Sequence, residues 1–406
     1  METKINKPNT FLWKLYFVTC GILSLICWNS VLNLGDYINE KFSATFFVYM
    51  TFSFSLGSLL SFVISPVILG KLKHRPAVLL ALVLTFVTFF LTFFFMNVIE
   101  NQEIAQFLSA MMIFLCGFFG SFFQSKSAGL AASASNTEII LFNFGTGIAG
   151  FSSNIFYFII EKIFPKYAEA TDKFDQLQKQ LYAYFVIVTI FGVLFFIIED
   201  LYERNHSEYF DTKSEQEIEA PFESEVAEND KNVAMNSIKI IRRCLDMLVG
   251  LLFQYVIVLV IISYFLIKTS IKFEDSNNTL LNIPFYFFCF NLCDSLGKFI
   301  DSSKLIYSPN KLHITNFLKL LFVAYFVYLV YFDVPAAFLS SSVFRCIVFI
   351  ILGLINGYFT NCFFGISANR LEKPLEKGKA AYFSVFFMLL GITIGNLLGI
   401  LYDPGN

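Results

Sequence analysis

Eleven apolar runs, most of them about 20 residues or longer, follow one another along this chain. A helix needs about 20 mostly apolar residues to cross a bilayer. The runs lie near 11–34, 44–69, 76–98, 105–132, 138–160, 182–202, 244–267, 282–303, 314–332, 338–364 and 380–402. Such a chain is expected to be an all-α polytopic membrane protein with about eleven transmembrane helices. Composition points the same way: 56% of residues are hydrophobic, 54 are Phe, and 15% are charged. Soluble domains carry about 25% charged residues, and this much apolar surface in water would drive aggregation.

The polar segment 1–10 leads into a first run with Trp28 and Asn29 and without an Ala-x-Ala cleavage pattern, so that run is read as a retained helix. Between Glu203 and Lys231 stand ten acids against three bases with few aliphatics. A segment of that kind buries too little apolar surface to offset its ordering entropy, so it is expected to be disordered. It divides the chain into a six-helix half over 1–202, an acidic cytoplasmic loop over 203–240 and a five-helix half over 241–406. Lys and Arg fall mainly on one side: Lys4, Lys7 and Lys14, then Lys71, Lys73 and Arg75, Lys304 and Lys311, and finally Arg370, Lys373, Lys377 and Lys379. The positive-inside bias then sets the N-terminus in the cytoplasm and the C-terminus outside. Asn277-Asn278-Thr279, a glycosylation sequon, falls in an outer loop in that orientation.

Net charge is −2, so no basic field argues for a nucleic acid polymer as partner. The eight cysteines show no metal spacing and read as small hydrophobes within apolar runs. His74, His206 and His313 all fall in loops or helix ends, and no Gly-x-Ser-x-Gly elbow is present, so nothing suggests an enzyme, a cofactor or a metal site.

Chemistry is sought where polar groups interrupt the apolar runs, because ionisable side chains in hydrocarbon usually mark a pathway or a partner. The eighth run reads Phe290-Asn291-Leu292-Cys293-Asp294-Ser295-Leu296-Gly297-Lys298. Asn291, Asp294, Ser295 and Lys298 share one face within about 100°. Asp294 and Lys298 stand four apart in the acid-first order that favours an ion pair. They either line a cavity for a polar, neutral solute or lock two helices together, with Lys298 also able to reach the surface by snorkelling. In the fourth run Gly117, Gly120, Ser121, Gln124, Ala128 and Ala131 form a stripe fit for close helix packing, with Gln124 its large polar group. Lys126 points away from that stripe and is expected to snorkel. Gly145-Thr146-Gly147-Ile148-Ala149-Gly150 matches a dinucleotide fingerprint in letters only, since it lies inside an apolar span; it is read as helix packing. Gly391, Gly395 and Gly399 form a similar ridge, and Asn33, Asn356, Asn361 and Asn396 add polar groups at depth.

Taken in order, these motifs resemble the equilibrative nucleoside transporter family over nearly the whole chain. Trp28-Asn29 resembles the family's Pro-Trp-Asn, with Cys27 in place of Pro. Gln124 with Gly129-Leu130-Ala131 resembles the fourth-helix pattern. The stretch from Gly145 to Gly150 resembles Gly-Gln-Gly-Leu-Ala-Gly, with Thr146 in place of Gln. Phe290-Asn291, Asp294 and Gly297-Lys298 resemble Phe-Asn-x-x-Asp-x-x-Gly-Arg, and Asn356-Gly357-Tyr358 resembles the tenth-helix Asn-Gly-Tyr. The resemblance implies a major-facilitator-like carrier of six and five helices working by alternating access. It implies that Trp28, Gln124, Asp294 and Lys298 lie at or near a central cavity, with Gly120 and Asn291 shaping it. Gln124 would meet a nucleobase, Asp294 and Lys298 the ribose, and Trp28 would supply an apolar wall. Lys298 in place of Arg removes a planar fork and bears on substrate range.

The function expected is facilitative transport of nucleosides, and of nucleobases, across the plasma membrane, with a protein partner at the acidic loop also considered. Richness in Phe and Asn points, by association, to an AT-rich genome and to purine salvage. The alternatives are a same-fold carrier of another polar solute and a non-transporting membrane scaffold that uses its acidic loop.

Overall fold

The computed structural model describes residues 11–68, 74–163, 178–179, 181–198, 230–266, 269, 283–300, 308–332 and 337–401. Most of the acidic segment and the loop with the Asn277 sequon lie outside the described residues. All described elements are helical. In chain order they are α1 (Phe11–Asn33), α2 (Gly35–Lys41), α3 (Ala44–Ile68), α4 (His74–Val98), α5 (Gln102–Ala134) and α6 (Asn136–Ile163). After them come α7 (Leu181–Ile198), α8 (Asp230–Val260, continued by a π-helical turn Ile261–Leu266), α9 (Ile283–Phe299), α10 (Pro309–Phe317), α11 (Leu320–Tyr331), α12 (Ala337–Ser340), α13 (Ser342–Asn369) and α14 (Pro374–Leu401).

Among the described residues nine helices are long and apolar enough to cross a membrane. Two of the eleven expected runs fall short of that measure. The second run forms the 25-residue α3 and is measured over Tyr49–Ile64 alone, and the eighth is the 17-residue α9, whose apolar character is interrupted by Asp294 and Lys298. The ninth run starts earlier than its apolar core suggests and is split into α10 and α11. Helix α8 begins at Asp230, upstream of the boundary expected at 241.

Helix starts are chemically marked. Asn101 caps α5, its side chain accepting from Glu103 N at 3.1 Å and Ile104 N at 3.2 Å. Ser308 and Ser341 cap α10 and α13 in the same way, with Pro309 in the first turn of α10.

Glycines set which helices touch. A Cβ on Gly21 of α1 would fall on the Phe142 carbonyl oxygen of α6, and one on Gly145 of α6 would fall on the Val18 carbonyl of α1. Gly57 of α3 and Gly117 of α5 stand in the same reciprocal relation to the Phe114 and Phe54 carbonyls. In the second half, Gly297 of α9 lies on the Leu354 carbonyl of α13, while Gly353 and Gly357 of α13 lie on the Phe290 and Asp294 carbonyls of α9. Gly391 and Gly395 of α14 meet Leu252 and Val256 of α8. The same helix pairs thus recur in both halves. The fingerprint-like Gly145 to Gly150 stretch is helix packing, as read from the sequence, and Lys126 lies over the Phe122 ring at 5.7 Å.

Contacts between the halves differ in kind. Gly147 of α6 faces Ser295 of α9, at its side chain and its Cα, and Gly150 faces the Asn291 side chain. Ser133 Oγ donates to the Pro374 carbonyl at 3.2 Å, Asn136 Nδ2 to Asn369 Oδ1 at 2.7 Å, and the Tyr382 hydroxyl to the Phe62 carbonyl at 2.9 Å. These bonds gather at the membrane face where α1 begins, since Trp13 Nε1 near the start of α1 donates to Glu138 near the start of α6 at 2.9 Å.

Candidate functional site

The glycine seam between α9 and α13 fixes the centre of the site, because it lays the Asp294 backbone directly on Gly357. On α9 the four-residue spacing then places Lys298 Nζ 2.7 Å from Asp294 Oδ2, in an ion pair that is 93% buried on both sides. Two charges taken out of water cost several kcal/mol each unless their remaining hydrogen-bonding capacity is met. Here much of it is. Asn356 Nδ2 of α13 donates to Asp294 Oδ1 at 2.8 Å, and Lys298 Nζ donates to Thr146 Oγ1 of α6 at 3.2 Å. Thr146 itself donates to the Asn143 carbonyl at 2.7 Å. Asn143 Nδ2 donates to Asn361 Oδ1 at 2.9 Å, and Asn361 Nδ2 returns to the Lys298 carbonyl. The circuit joins α6 of the first half to α9 and α13 of the second.

A second arc lies behind Asn356. Gln254 Nε2 of α8 donates to the Asn356 carbonyl at 3.0 Å and to Thr360 Oγ1 at 2.8 Å, and the Tyr255 hydroxyl lies 3.2 Å from the same Thr360 oxygen. Asn356 Oδ1 and Gln254 Oε1 are buried and accept no hydrogen bond among the described residues. An unmet buried acceptor costs about 1–3 kcal/mol. Two of them beside a neutralised ion pair suit an uncharged solute that brings hydroxyl or amine donors.

The predicted residues fall into two groups. Asn291, Asp294 and Lys298 share α9, with the Asn291 side chain set against Gly150 of α6. Trp28, Gly120 and Gln124 belong to the first half. Trp28 of α1 stacks on Phe54 of α3, with ring centroids 4.0 Å apart and planes 13° from parallel. Phe54 is itself held by the Gly117 seam to α5, the helix that carries Gly120 and Gln124. Gly120 faces Thr85 of α4, leaving room for a methyl group and little more. Gln124 is 98% buried. Among the described residues no hydrogen bond joins the first-half group to the Asp294 pair, so the structure brings together the α9 set and leaves Trp28 and Gln124 apart from it.

Reading the sequence did not single out Asn143, Gln254, Tyr255 or Thr360 as neighbours of the pair. Gln254 carried a usable signal, a large amide among apolar residues of a predicted span. Thr360 and Tyr255 carried none, because hydroxyl residues are common in membrane helices.

A family model described as nucleoside transporter matches residues 110–403. Nucleoside transporter 1 of Plasmodium vivax (strain Salvador I) is 23% identical over 99% of this chain and 91% of its own. Among solved structures, the proton:xylose symporter XylE from E. coli superposes with a TM-score of 0.67 at 12% identity, over 97% of this chain and 89% of that one. The E. coli fucose:proton symporter FucP gives 0.58 at 14% identity, over 96% and 92%. These structural likenesses speak to fold: an all-α, major-facilitator-like architecture.

Proposed function

The chain belongs to the nucleoside transporter family, and from that premise we propose that it carries nucleosides, and nucleobases with them, by facilitated transport across a membrane. The observation that carries the chemistry is the pairing of Asp294 with Lys298 beside the unfilled acceptors Asn356 Oδ1 and Gln254 Oε1. The pair has no net charge, so it discriminates against ionic solutes, while its polar atoms can exchange partners with ribose hydroxyls at small cost. In this reading Asp294 and Lys298 hold the ribose, Gln124 offers its amide to the base, and Trp28 with Phe54 gives the base an apolar wall. Asn291 and Gly120 shape the space between.

The two halves rock about the site, exposing it to each side in turn. We place the carrier in the plasma membrane with the N-terminus in the cytoplasm and the C-terminus outside, in line with the distribution of Lys and Arg. Its cellular role in this reading is salvage of purines. The test is uptake of radiolabelled adenosine by nucleoside-uptake-deficient cells that express the chain, with unlabelled uridine, hypoxanthine and adenine as competitors. Saturable uptake with a ranked competition pattern supports the reading; absence of uptake with the protein at the cell surface overturns it.

A further inference from the structure

The residue of α6 that meets the Lys298 ammonium has no role in the scheme above. Thr146 is buried. Its hydroxyl donates to the Asn143 carbonyl at 2.7 Å, the local bond that threonines in helices commonly make. That bond uses the hydroxyl's one proton. Toward Lys298 the oxygen can then act only as an acceptor, and Lys298 Nζ donates to it at 3.2 Å. An ammonium carries three protons. Asp294 Oδ2 accepts one at 2.7 Å and Thr146 a second, while the third has no partner among the described residues. Two committed N–H bonds stop the ammonium from spinning about its Cε–Nζ bond, so the third points in one direction.

The same circuit grips the other end of Lys298. Asn361 Nδ2 donates to the Lys298 carbonyl, and Asn143 Nδ2 donates to Asn361 Oδ1 at 2.9 Å. Ordering a long lysine side chain costs rotamer entropy, and a group held in place beforehand binds a solute without that cost. Thr146 is the member of the circuit that fixes the charged end. It stands on α6 of the first half, whereas Asp294 and Lys298 stand on α9 of the second. This end of the site is therefore assembled across both halves.

Resting on the transport reading, in which the Asp294–Lys298 pair meets the sugar, we propose that Thr146 is a positioning residue for recognition of the ribose hydroxyls: it holds Lys298 so that one free N–H is aimed at them. A solute without those hydroxyls gains nothing from that aim. A bond that merely tied α6 to α9 would act on every solute alike, so the two roles differ in what a deoxygenated sugar senses.

The test uses the full chain in nucleoside-uptake-deficient cells. Radiolabelled adenosine uptake is inhibited by unlabelled adenosine or by 2′,3′-dideoxyadenosine, which keeps the base and lacks both ribose hydroxyls. Thr146→Val keeps the side-chain shape and removes the acceptor. It should weaken inhibition by adenosine about tenfold, the size of one hydrogen bond to a charged group, and leave inhibition by dideoxyadenosine unchanged. Thr146→Ser, which keeps the oxygen, should behave as wild type. Equal weakening of both inhibitors, or no weakening of either, overturns the proposal. If wild type takes up no adenosine, the transport reading fails by itself, and melting of the full chain in lipid nanodiscs still decides the hold on Lys298. There T146V, K298M and the double variant should give non-additive losses of stability, and additive losses overturn the proposal.

Discussion

At the scale of single residues, Asp294 bears the heaviest duty. It receives Lys298 and Asn356 on its two oxygens and lends its backbone carbonyl to the contact with Gly357. Asp294→Asn keeps the shape and a bond to Asn356 but strands the Lys298 charge. Saturable uptake should vanish while protein still reaches the membrane, and uptake equal to wild type would remove Asp294 from the site. Gln124→Ala should act differently. It takes away one amide with no hydrogen bond among the described residues, so KM for adenosine should rise about tenfold, near 1.4 kcal/mol, with little change in maximal rate. Much of this was legible in the sequence because a carboxylate four residues before an ammonium, inside an apolar run, has few other places to go. Lys319, a buried lysine in the break between α10 and α11, was hidden by its surroundings: Leu318, Leu320 and Leu321 give the segment an ordinary apolar look, and its ring partner Phe359 lies on another helix. The helix break at Lys319 has no Pro or Gly to announce it.

At the scale of helices, the decisive division is between glycine seams against backbone and glycine contacts against side chains. Gly357 lies on the Asp294 carbonyl, and no rotamer change can relieve an added Cβ there. Gly357→Ala should cost about 1–3 kcal/mol, as overpacking does, and lower the melting temperature in detergent. A Cβ on Gly150 of α6 would instead meet the carboxamide of the Asn291 side chain, at 2.9–3.1 Å. Gly150→Ala should leave each half intact and slow transport instead, which parallel melting and uptake measurements would separate. The glycine ridges could be read from spacing alone. Their partners could not, because periodicity names a face of one helix and leaves open which backbone it meets. The polar face of the eighth helix was expected from its spacing, whereas its shortness and its neighbours on α6 and α13 emerged only from the folded chain.

At the scale of the whole molecule, the two halves are tied by amide and hydroxyl bonds at the face where α1 begins, among them Asn136 to Asn369 and Ser133 to Pro374. Alternating access requires these bonds to part. Replacing Asn136 and Asn369 with cysteine and bridging them with a reducible bifunctional thiol reagent should stop uptake, and reduction should restore it; single-cysteine controls should be insensitive, since seven of the eight native thiols are buried. Uptake that survives the bridge would show that this face stays shut throughout the cycle. The contrast between seams within and between the halves has a further consequence. Parting a glycine seam would bare backbone carbonyls to hydrocarbon, whereas parting Asn from Asn only requires that each amide find a water molecule. Hydration is then a participant in the opening step, and lowering water activity with an osmolyte too large to enter the cleft should slow turnover even when the nucleoside gradient is held constant.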